Sequence, residues 1–195
     1  MTELEHILTN YNKATMISNI AAHPECFNEL VELAISDKQP YSRRALWLLW
    51  SCMQENDQRL GGRVNQLINA IPSKNDEQQR DIFIILQKME LNEESEGILF
   101  DICASVWEKI HKKPSVRYNA FKLITKIAKR YPELSIEIEY LIQEQYLESL
   151  SPCARKSILQ MSNLLINKIN KPEKEGQPPV NSTLSDPSLA SGNQS

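Results

Sequence analysis

Four arginines recur along the chain at nearly constant intervals: Arg44, Arg80, Arg117 and Arg155, spaced 36, 37 and 38 residues apart. Each is followed at +3 and +6 by apolar side chains: Trp47 and Trp50, Phe83 and Leu86, Ala120 and Leu123, Ile158 and Met161. Steps of three and four residues gather side chains on one face of an α-helix. A repeat of this length matches one helix–turn–helix unit of a solenoid. A single unit of that size cannot bury its apolar face alone, so neighbouring units must stack. Arg44, Arg80, Arg117 and Arg155, with Trp47 and Trp50, are therefore read as structural repeat positions. Each arginine is expected to pair with an acid of the adjacent unit and to cover apolar surface with its stem. Trp47 and Trp50 are expected in the core.

Proline placement supports the same architecture. Pro24, Pro40, Pro72, Pro114, Pro132 and Pro152 fall between apolar-periodic segments, and proline suits a first helical turn but breaks a helix interior. Only Gly61, Gly62 and Gly97 precede residue 170, and no segment alternates strictly enough to form a strand. The pattern predicts helices over 3–21, 24–37, 41–55, 57–71, 75–90, 93–111, 114–130, 132–149 and 151–169. Asn92 before Glu93 and Glu94 reads as a cap followed by acids at the positive end of the helix dipole. Ser151–Pro152 reads as a cap and first-turn proline for the last helix. The expected fold is all-α: a superhelix of about four helical pairs plus a terminal helix, occupying residues 1–170. Residues 171–195 contain four prolines, five serines and no aromatic. They cannot bury enough apolar surface to offset their ordering entropy and are read as a disordered tail.

The segments Tyr41-Ser42-Arg43-Arg44-Ala45-Leu46-Trp47 and Ser115-Val116-Arg117-Tyr118-Asn119-Ala120-Phe121 resemble first helices of HEAT repeats. Over residues 3–169 the layout is similar to that of small bacterial HEAT-like proteins. The resemblance implies an α-α superhelix whose second helices line a concave face. Some members of that group carry the label adenylosuccinate lyase, which the residues here do not support: the lyase's GSSxMPxKxNP loop has no counterpart in this chain.

Charge is segregated between the expected helices. Helix 114–130 carries Arg117, Lys122, Lys126, Lys129 and Arg130 and no acid, whereas 132–149 carries five glutamates and no base. Helix 93–111 sets Glu93, Glu94, Glu96, Asp101 and Glu108 against Lys109 alone. Combined with the resemblance, this implies an acidic concave face. Glu96, Asp101, Glu108, Glu137 and Glu144 are the candidate contacts for a basic segment of a partner protein, steered by charge.

Catalysis finds little support. No GxGxxG, GxxxxGK[ST] or GxSxG occurs, and His6, His23 and His111 are scattered without a nucleophile or acid partner. Cys26, Cys52, Cys103 and Cys153 lack metal-ligand spacing and read as small buried hydrophobes in a reducing compartment. No metal, cofactor or catalytic residue is expected. The net charge is −3, which weighs against a dedicated nucleic-acid binder. HEAT-class DNA-binding proteins and alkylpurine DNA glycosylases share the implied fold and form the alternative, but acidic concave helices would repel phosphates. No apolar run approaches the about 20 residues of a membrane span. The acidic start, Met1-Thr2-Glu3-Leu4-Glu5-His6, is not that of a secretory signal. The expectation is a cytoplasmic, monomeric, non-catalytic scaffold or adaptor.

Overall fold

The computed structural model describes residues 1–169, so the tail expected over 171–195 lies outside the described residues. Eleven α-helices are present among them. The first five are α1 (Glu3–Asn10), α2 (Lys13–Ala22), α3 (Cys26–Ile35), α4 (Tyr41–Cys52) and α5 (Val64–Ala70). Then come α6 (Asp76–Gln87), α7 (Glu93–Glu108), α8 (Pro114–Ala128), α9 (Ser135–Leu141), α10 (Glu144–Leu147) and α11 (Pro152–Ile169). Short 3-10 turns precede and follow α5 and lead into α9. No strand occurs among the described residues.

The helices form two layers. Helices α4, α6, α8 and α11 pack one against the next, and α1 and α2 pack against α4. Helices α3, α5, α7 and α9 form the second layer and contact α4, α6, α8 and α11 respectively. This is the helical solenoid expected from the repeat. Its core runs continuously between the layers, with Phe27, Phe83, Phe121 and Trp107 fully buried.

Caps fix several helix starts. The Asn75 side chain accepts from the Glu77 and Gln78 amides at the start of α6, and that of Asn92 from Ser95 N at 2.8 Å at the start of α7. Lysines tie successive units together. Lys88 Nζ donates to the Trp50 and Met53 carbonyls, both at 2.9 Å, at the end of α4. Lys126 Nζ donates to the Gln87 and Met89 carbonyls at 2.7 and 2.6 Å at the end of α6. A cation on the last carbonyls of a helix satisfies orphan acceptors and matches the dipole. Thus 38 residues separate two lysines, Lys88 and Lys126, that repeat one function in consecutive units.

Some expected helices are broken. The 3–21 segment is two helices, because Asn12 caps a new one, its side chain accepting from Thr15 N at 3.0 Å. Over 57–71 only 64–70 is α-helical. The Asp57 carboxylate instead organises a turn by accepting from the Gln54 and Arg59 amides. The 132–149 segment is divided at Ile142–Gln143, where the backbone turns extended at Gln143. There the Leu141 carbonyl accepts from Trp107 Nε1 at 2.7 Å, which ties the break to the core. Helix α7 ends at Glu108, so Ile110 does not share the buried face of Cys103 and Trp107 but is exposed.

Candidate functional site

The two layers differ in sign. In the second layer α7 carries five acids and no base, and α9 and α10 add Glu137, Glu139 and Glu144. In the first layer α4 and α8 carry Arg43, Arg44, Arg117, Lys122 and Lys126 and no acid.

Helix α7 aims Glu94, Ile98, Asp101, Ser105 and Glu108 outward at steps of three and four, forming one exposed stripe. On α9, Ile136 is 76% exposed and Tyr140 is exposed beside Glu137 and Glu139. Large apolar side chains thus stand in water among the acids of this layer.

Between α7 and the turn leading into α9 lies a groove of about 360 Å³. Its floor is apolar: Phe100, Ile127, Tyr131 and Leu134. Its rim is acidic, with Glu93, Asp101 and Glu133 all exposed. Gly97 forms part of the wall, and a Cβ built there would meet nothing within 4 Å. A glycine inside a helix costs about 0.5–1 kcal/mol relative to alanine. Here the missing side chain leaves the groove open.

The sequence-derived acids fare differently. Asp101 sits on the groove rim, and Glu108 and Glu137 are exposed on the same layer. Glu96 is only 3% exposed and is therefore corrected from a partner contact to an internal brace. Its carboxylate accepts from Arg130 Nη1 at 2.6 Å and from the Tyr131 hydroxyl at 2.8 Å. The bond to Glu96 pushes the Tyr131 phenol up and holds that ring in the groove floor. Glu144 is exposed but forms a two-pronged ion pair with Arg155. Sequence reasoning missed Glu133, Phe100 and Leu134, which come together only by packing. A detectable signal was the lone glycine within the helical pattern of α7.

The family model described as "HEAT repeat domain" matches residues 1–162. The chain belongs to the HEAT repeat family. No curated protein and no solved structure matches it.

Within this HEAT domain the repeat arginines have four different destinations. Arg44 Nη1 donates to the Leu8 carbonyl at 2.5 Å, and Arg80 pairs with Asp81 of its own helix. Arg117 is 0% exposed and donates to the Trp107 and Tyr146 carbonyls and to Ser149 Oγ. Only Arg155 meets an acid of the preceding unit, Glu144. The expectation of an acid partner for each arginine is thereby corrected: carbonyls at helix ends serve equally well as acceptors. Trp47 and Trp50 are half-buried rather than core, packed edge-to-face with centroids 6.4 Å apart. Trp50 Nε1 is buried without a hydrogen-bond partner among the described residues.

Of the four free cysteines, Cys103 is buried, Cys26 and Cys52 are half-buried and Cys153 is exposed. The reading of all four as buried hydrophobes therefore applies in full to Cys103 alone. No described group of three His, Cys, Asp or Glu side chains is arranged to hold a metal ion. No described helix is long and apolar enough to cross a membrane.

Proposed function

We propose that this HEAT-repeat protein is a non-catalytic scaffold that docks a basic segment of another protein on its α7–α9 layer. One apolar side chain of that segment enters the groove beside Gly97, and flanking Lys or Arg side chains meet Glu93, Asp101 and Glu133. The observation that carries this reading is the groove itself: an apolar floor inside an acidic rim, on a face that also exposes Ile98, Ile136 and Tyr140. The apolar contact supplies affinity and the charges mainly accelerate and orient encounter. Glu108 and Glu137 extend the acidic surface beyond the groove. The reading places the protein in the cytoplasm as a monomer, in keeping with its free cysteines.

The test is a pull-down from the native cell with the wild type and an Asp101→Lys/Glu133→Lys variant, each followed by mass spectrometry. Partners with a basic segment should be recovered by the wild type at low salt. They should be lost with the variant, and weakened as salt rises through about 0.15 M. Identical recovery by both proteins would move the interface elsewhere.

A further inference from the structure

A second cavity lies on the opposite layer, between the N-terminal halves of α4 and α6. It measures about 410 Å³ and is lined by Pro40, Arg43, Arg44, Trp47, Arg80 and Asp81. Three arginines from two adjacent helices therefore line one space together with a single carboxylate residue, Asp81.

Each guanidinium is anchored on one side and has N–H groups to spare on another. Arg44 is held through Nη1 by the Leu8 and Thr9 carbonyls at 2.5 and 3.3 Å, leaving Nε and Nη2. Arg43 Nε meets Glu77 at 3.2 Å, and Glu77 is shared with Lys113 at 3.0 Å. Arg80 gives Nε and Nη2 to Asp81 Oδ1 at 3.0 and 2.7 Å, and Nη1 has no partner among the described residues. Asp81 is 2% exposed, while the Arg80 side chain remains 35% exposed. Burial pushes the Asp81 carboxyl up, and Arg80 beside it pulls the other way. A buried carboxylate is costly. Placed here, it fixes the plane of Arg80, one of the three arginines lining the cleft. The solenoid does not require this arrangement: the equivalent Arg117 turns into the core, and Arg43 and Asp81 lie outside the repeat.

Trp47 provides the remaining wall. It is half-buried, and Lys13 Nζ lies over its ring, 5.2 Å from the centroid. Planar guanidinium groups match phosphate oxygens in pairs, and an indole offers a flat apolar surface for a ring. The volume falls within the range of small-ligand sites.

We propose that this cleft binds a phosphate-bearing small molecule with a planar ring, of the nucleotide class, its phosphates on Arg43, Arg44 and Arg80 and its ring against Trp47. The site lies apart from the acidic groove and is independent of the scaffold reading.

The experiment is a tryptophan-fluorescence titration of the full chain with ADP, adenosine and inorganic pyrophosphate. Trp107 is fully buried, so a change in emission reports on Trp47 and Trp50. ADP should quench emission with micromolar to sub-millimolar affinity. Adenosine and pyrophosphate should each bind at least about tenfold more weakly, since each lacks half of the recognition. Arg43→Gln should weaken ADP about tenfold with an unchanged thermal melt, because Arg43 is exposed. Trp47→Phe should retain binding but alter the quench. No response to ADP at millimolar concentration would overturn the proposal, as would equal affinity of Arg43→Gln. Pyrophosphate binding as tight as ADP would overturn the role of Trp47. Tight binding of duplex DNA with no response to ADP would replace the proposal by a polymer-backbone surface.

Discussion

The Arg117 guanidinium lies 4.6 Å from the Trp107 ring centroid and donates Nε to the Trp107 carbonyl at 2.8 Å. One side chain thus covers the largest buried ring and also satisfies the carbonyl near the end of α7. Its other nitrogens reach Tyr146 O at 2.6 Å and Ser149 Oγ at 2.5 Å, across the broken segment of the second layer. A cation without a carboxylate partner is disfavoured there, and burial lowers the Arg117 pKa. Three hydrogen bonds and the aromatic face offset that cost. Arg117→Ala should destabilise the fold by about 3–5 kcal/mol, since it leaves a cavity and unpaired buried acceptors. Urea unfolding measures it. A loss below about 1 kcal/mol would show that water replaces the guanidinium without penalty.

Lys126 joins α8 to the end of α6 through two carbonyls, and burial lowers its pKa. Lys126→Met keeps the apolar stem and removes both donors. The expected cost is about 1–2 kcal/mol, the scale of charge-assisted hydrogen bonds to a helix end. Chemical denaturation of the single variant checks it. Lys88→Met acts on the end of α4, and because Lys126 holds the Gln87 and Met89 carbonyls on either side of Lys88, the double variant should depart from additivity.

Periodicity made the stacked helices legible, because stacking imposes an apolar face on every unit and leaves a spacing between Arg44, Arg80, Arg117 and Arg155. The arginines' destinations were not legible. Arg117 turns inward because Trp107, Tyr146 and Ser149 converge on it, an arrangement no local pattern records. The division of 132–149 carries no glycine or proline at Ile142–Gln143, and its apolar period continues across the break. By contrast, Asn12 is an ordinary cap residue whose signal was outweighed by the apolar period running through 3–21. For the candidate site, the sign of α7 and α9 could be read from composition. The groove could not, since Phe100, Ile127 and Leu134 come from separate segments. The burial of Glu96 likewise depends on Arg130 and Tyr131 folding back over α7.

Gly97 offers a test in which stability and binding move in opposite directions. Gly97→Ala meets no neighbour within 4 Å and removes backbone freedom from the unfolded chain. Stability should rise by about 0.5–1 kcal/mol. Gly97→Leu should fold as well but occupy the groove, abolishing recovery of the basic partner. A Gly97→Leu protein that melts normally and still recovers that partner would separate the groove from the docking surface.

The turn before α5 supplies a pH-dependent contribution. Asp57 accepts from Arg59 Nε and Nη2 at 2.9 and 2.6 Å and from the Arg59 and Gln54 amides at 3.2 and 3.3 Å. The bond from the Arg59 side chain, reinforced by these amides, holds the carboxyl below its usual range despite partial burial. The folded state therefore releases this proton more readily than the unfolded chain. The stabilisation is complete above the ordinary Asp pKa of about 4 and is lost as pH falls through the lower folded value. Asp57→Asn should be less stable than the wild type at neutral pH. The difference should hold constant down to about pH 5 and shrink progressively below pH 4. Thermal melts of both proteins between pH 3 and 7 measure it. A difference that persists undiminished at pH 3 would mean that Asp57 acts in this turn through hydrogen bonds that survive protonation rather than through its charge.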